Sequence, residues 1–229
     1  MPYPPPMARR WLSLHVCVAL LATASLTRAQ EAPLTELPSP REAAAAEARS
    51  THGPTERLIE VRLANRDEKR REGFWLLGWG LANVLGGSLI AIAKRDDEAW
   101  LSAGLMTAGF GAINAPLSLG LLDGSGARRR MILDGRAGTA TTFEEVREAE
   151  VTSQLRSAQG FALNTGLDVF YIATGLLMFF LGRAEDPDRG WLKGGGLAMV
   201  AQGAFLFGFD VVAWRRSNQR SAAAAAVRP

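Results

Sequence analysis

The chain has 229 residues, enough for one domain of ordinary size, and its formal net charge of +3 is too small to point to nucleic acid as a partner. Its single cysteine, Cys17, excludes an internal disulfide framework and a cysteine metal site. The two histidines, His15 and His52, sit near no catalytic partner and leave no His-cluster metal site.

Charge is segregated along the chain, and glycine concentrates in the apolar runs, as close-packed membrane helices require. "MARRWLSLHVCVALLATASLTRAQEAP" reads as a secretory signal over residues 1–29. Arg9 and Arg10 form the basic region, Trp11 to Leu26 the apolar core, and Thr27-Arg28-Ala29 the cleavage site. An uncleaved anchor is the alternative, and Met7 is a second candidate start. Residues 30–55 are rich in Pro, Ala and Glu and are expected to form a flexible linker. Glu56 to Glu72 is charged but helix-compatible, an amphipathic lead-in to the first apolar run.

Four spans are expected, at about 74–93, 101–122, 161–182 and 192–214. Each is near the ~20 residues that cross ~30 Å of hydrocarbon. A soluble bundle needs a polar stripe on every helix, and these runs lack one. Trp75, Trp79, Trp100, Trp191 and Trp214 fall near span ends, where an interfacial aromatic belt would place them. The short connections 94–99 and 183–190 predict two αα-hairpins. The longer middle connection carries a Thr142/Glu145 capping box and predicts a surface helix outside the membrane. Residues 216–229, with the low-complexity "SAAAAAV", are expected to be a disordered tail. The fold class is therefore all-α: an integral membrane four-helix bundle of two hairpins, with a signal segment and a short extramembrane helix in the middle loop.

Two rules disagree on orientation. A signal would export the segment before Phe74, the middle loop and the C-terminal tail. That side is richer in Lys and Arg than the side bearing Lys94, Arg95, Arg183, Arg189 and Lys193, so the positive-inside rule favours the reverse. The first segment usually dominates, which favours export. "GLMTAGFGAI" from Gly104 and "GLAMVAQGAF" from Gly196 also look alike, as tandem hairpins would.

The polar residues within these runs are the candidate site: Asn83, Asn114, Asn164, Asp168, Tyr171, Gln202 and Asp210. At ~1.5 Å per residue, Asp168 lies about 10 Å below one face, Asp210 about 6 Å, and Asn83 and Asn114 about 12 to 14 Å. Gln202 falls nearer the middle. Asn164, Asp168, Tyr171 and Gly175 follow a helical stripe, and Gly196, Gly203 and Asp210 recur every seven residues. Pro116 removes a backbone donor inside the second run and is expected to kink it. An intramembrane carboxylate costs ~2.5–3.5 kcal/mol on insertion scales, so it should be paired or neutral. Two readings stay open: a hydrogen-bonded cluster that fixes helix register, or a site for a proton, ion or small ligand. No catalytic residue, metal set or cofactor site is indicated. The basic runs "ARRRM" and "WRRSNQR" are solvated flanks or contacts to anionic lipid.

"NRDEKRREGFWLLGWGLANVLGG", "GFGAIN", "LNTGLDVFYIATG" and "QGAFLFGFD" resemble an uncharacterised bacterial family of small, signal-bearing, four-span membrane proteins. The likeness covers roughly Arg62 to Trp214. It implies the signal and the spans and no activity. The expected protein is a non-enzymatic, multi-pass protein of the inner (cytoplasmic) membrane, whose partners are the bilayer and a second copy or another membrane protein, with no nucleic acid. The alternative is a small-solute, proton or cation transport or binding subunit acting as an oligomer.

Overall fold

A computed structural model describes residues 53–184 and 189–229. The signal segment and the linker up to residue 52 lie outside the described residues. Among those described there is no strand, only a lone bridge between Ala137 and Ala140. The helices are α1 (Pro54–Ala93), α2 (Glu98–Leu122), α3 (Ala127–Leu133), α4 (Phe143–Ala184) and α5 (Gly190–Ala226).

Helix α1 starts inside the stretch read as linker. Pro54 supplies a preset φ at its first position, and Glu56 Oε2 accepts the Gly53 N–H at 3.1 Å. Asp97 caps α2, its Oδ1 accepting from the N–H groups of Ala99 and Trp100 at 3.0 and 3.2 Å. Helix α2 continues through Pro116, and Ser118 donates its hydroxyl to the Ala115 carbonyl at 2.6 Å. The Thr142/Glu145 box does open α4: Thr142 Oγ1 accepts from Glu145 N and Glu145 Oε2 from Thr142 N. What it opens is not a separate surface helix. Nothing between Phe143 and Phe161 breaks the helical geometry, so α4 runs as one 42-residue helix into the expected span. The short helix of the middle connection is α3 instead.

Four helices among the described residues are long and apolar enough to cross a membrane. Polarity is inverted along these apolar runs. The outward residues are large and apolar, such as Leu85 at 71 %, Leu89 at 67 %, Leu163 at 71 % and Phe170 at 63 % exposure. Apart from Leu76, the buried residues are glycine, alanine, serine, amides and two aspartates. Water rewards the opposite arrangement, so this one suits a surrounding of hydrocarbon.

Helix α1 packs against α2, α4 against α5, and α2 against α5. Small residues set these approaches. A Cβ on Gly111 would lie 2.5 Å from the Gly80 carbonyl oxygen, and one on Gly196 would lie 2.5 Å from that of Gly175. Where α2 and α5 begin, Gly194 meets the backbone of Ala99, and Ser102 donates to the Trp191 carbonyl at 2.7 Å.

Beyond the apolar runs the helices carry on. The first half of α1, the first half of α4 and the last turns of α5 meet in a helical head. The tail expected to be disordered is therefore helical to Ala226, with Ser217, Arg220, Ser221 and Ala224 buried. The reason is Arg220, which has buried partners to find in α1 and α4.

Candidate functional site

Three polar groupings lie along the inner faces of the helices. The first joins α1 to α5. Trp79 Nε1 donates to Gln202 Oε1 at 2.9 Å, Gln202 Nε2 donates to Asn83 Oδ1 at 2.6 Å, and Asn83 Nδ2 donates to the Trp79 carbonyl at 2.7 Å. The Trp79 ring also stacks on Phe205, with centroids 3.8 Å apart. Trp79 is thus an internal donor rather than a member of the aromatic belt. Trp75, Trp191 and Trp214 are exposed at 69 %, 49 % and 42 %, as a belt requires. Gln202, expected nearest the middle by counting residues, lies at the level of Asn83 because α5 passes directly beside it.

The second grouping joins α4 to α5. The side chains of Asp168 and Asp210 face one another between α4 and α5, and they are only 3 % and 5 % exposed. Gly203, one heptad before Asp210, lets α5 close on the backbone of Asp168 and Ile172. Asp168 Oδ2 is sealed from solvent and receives no N–H or hydroxyl donor, and Asn114 Nδ2 is buried without an acceptor. Tyr171 is half-buried, its ring edge-on to Phe110 at 5.7 Å. Asn164 is exposed and takes no part. The contact stripe of α4 passes through Thr165 rather than Asn164, because two helices packed at a heptad spacing track alternating steps of three and four.

The third grouping lies in the head, and the sequence reading missed it. Arg220, 3 % exposed, donates to both carboxylate oxygens of Glu72 at 2.7 and 3.3 Å, to Gln154 at 3.2 Å and to Ser217 at 2.8 Å. Gln154 Nε2 reaches Glu150 at 2.7 Å, and Asn65 does so at 3.1 Å. Arg62 donates to the Arg136 carbonyl at 2.8 Å, tying the middle connection to α1. Lys69 donates to Ser157 at 3.0 Å; burial lowers its pKa, and the nearby Arg220 charge acts in the same sense. These residues sit among many exposed charges in the sequence. The available signal was spacing: Leu58, Arg62, Asn65 and Glu72 fall on one helical stripe.

Among the described residues, no three His, Cys, Asp or Glu side chains converge as metal ligands. The chemistry present in these groupings is hydrogen bonding and ion pairing. A family model, Family of unknown function (DUF6992), matches residues 75–211, more than half of the chain. The chain belongs to DUF6992. No curated protein and no solved structure matches it. The DUF6992 match takes in Asn83, Asn114, Asp168, Gln202 and Asp210, and stops short of Glu72 and Arg220.

Proposed function

We propose that this DUF6992 chain is a non-enzymatic integral membrane protein of the cytoplasmic membrane. Its four spanning helices form two hairpins, and its buried polar layers hold those hairpins in one register and support the helical head. The observation that carries this reading is the closed amide ring of Trp79, Gln202 and Asn83 between the first and last helices. Lipid tails offer no hydrophobic gain for helix association, so packing and interhelical hydrogen bonds must supply it. Each such bond contributes about 0.6–2 kcal/mol.

The test is a double substitution, Asn83→Leu with Gln202→Leu, in purified protein. A scaffold role requires a lower unfolding midpoint, with Trp79 fluorescence shifting as its ring leaves Phe205. An unchanged midpoint and spectrum would contradict it. The second reading, a proton- or cation-handling subunit acting as an oligomer, is favoured by one observation: the buried meeting of Asp168 and Asp210, with Asp168 Oδ2 sealed from solvent and without a donor.

A further inference from the structure

We propose that Asp168 and Asp210 form an intramembrane proton-binding site, in which one proton is held between the two carboxyls. This rests on the second reading above and names its ligand.

An ionised carboxylate only accepts hydrogen bonds. Two buried carboxylates facing one another would repel unless one of them carries a proton and donates it to the other. Asp168 Oδ2 says the same from the other side: it is sealed, and no N–H or hydroxyl in the structure is directed at it. A second carboxylic acid is the donor it has available.

No charge nearby offers another route to neutrality. Helix α1 has no charged residue from Phe74 to Ala93, and α2 has none from Leu101 to Leu122. On α4 the nearest are Arg156 and Arg183, more than three turns away in either direction. On α5 the nearest is Arg215, five residues past Asp210 and exposed to solvent.

Proton binding here breaks no covalent bond of the chain and needs no redox partner. The exchanging proton enters by Asp210, the member nearer the head.

The test is infrared spectroscopy of the full-length protein in nanodiscs with isotopically labelled aspartate. The expected result is one protonated aspartic-acid carbonyl band per chain at neutral pH. It should fall at least fivefold in both Asp168→Asn and Asp210→Asn. Absence of the band in the folded wild-type protein would overturn the proposal without recourse to any variant. Persistence of the band in both Asn variants would do the same. Neither failure touches the scaffold reading, which the Asn83/Gln202 melting experiment tests separately.

Discussion

Remove the guanidinium of Arg220 and the Glu72 carboxylate, itself 3 % exposed, keeps its burial but loses both of its arginine hydrogen bonds. Stranding a buried charge costs about 3–5 kcal/mol, whereas replacing both partners by apolar groups is often near neutral. Arg220→Ala should therefore lower the thermal midpoint in detergent far more than Arg220→Met combined with Glu72→Leu. Equal losses in the two proteins would show that the pair is not coupled. Asp123 gives a pH prediction. Burial works against its carboxylate, but Arg66, donating at 2.9 and 3.1 Å, and the Arg128 N–H outweigh that and hold its pKa below the ordinary value. A lowered folded pKa gives stability that is complete above the unfolded value of ~3.9 and lost as pH falls through the folded one. Asp123→Asn should accordingly lose less stability than wild type on acidification from pH ~7 to pH ~3, read from unfolding midpoints. At this scale legibility followed contrast. Asn83, Gln202, Asp168 and Asp210 stand out because everything around them is apolar. Arg220 sits among other arginines and polar residues, and nothing in that run says which one turns inward. Asn164 was one residue off the stripe, an error that a strict period of 3.6 invites when the true contact spacing is nearer 3.5.

Glycine spacing governs the elements. On α5, Gly196, Gly203, Asp210, Ser217 and Ala224 are all buried at intervals of seven, so one seam runs from the apolar segment into the head without a break. Every residue on it is small, which lets α4 and α5 lie close along their whole contact. Gly87 makes the same point between α1 and α2: a Cβ there would collide with the Gly104 carbonyl oxygen at 2.6 Å and with the backbone of Ala108. Gly87→Ala should lower the unfolding midpoint, by about 1–3 kcal/mol of overpacking. Gly109→Ala faces open space and should be neutral or gain up to about 1 kcal/mol of helix propensity. A loss at Gly109 equal to that at Gly87 would show that helix contact is not what these glycines serve. The seam up to Asp210 was legible as a heptad of small residues. Its continuation was not, because "SAAAAAV" has the composition of a tail, and only the buried partners of Arg220 make it a helix worth ordering.

For the whole molecule, the apolar runs and the head make one continuous object. The buried links from Arg220 to Glu72 of α1 and Gln154 of α4 place those three segments on one side. Reporter fusions in the connection at Gly124 and at the C-terminus should therefore agree with each other. The signal reading adds that both report the non-cytoplasmic side. Four apolar runs of suitable length announced the helices, and the helix-compatible lead-in at Glu56 to Glu72 announced the extension of α1; no residue count announced that α4 would cross the boundary as a single helix of 42 residues. The central claim is that hydrocarbon surrounds the outward faces of these helices while their polar groups turn toward one another. Spin labels on a Cys17→Ser background in proteoliposomes test it most directly, at Leu85, Ile113, Leu177 and Phe207. Each label should collide freely with oxygen and be shielded from a water-soluble nickel complex, and labels at the exposed Glu60 and Glu148 of the head should show the reverse. Nickel accessibility at the four apolar sites equal to that in the head would contradict it.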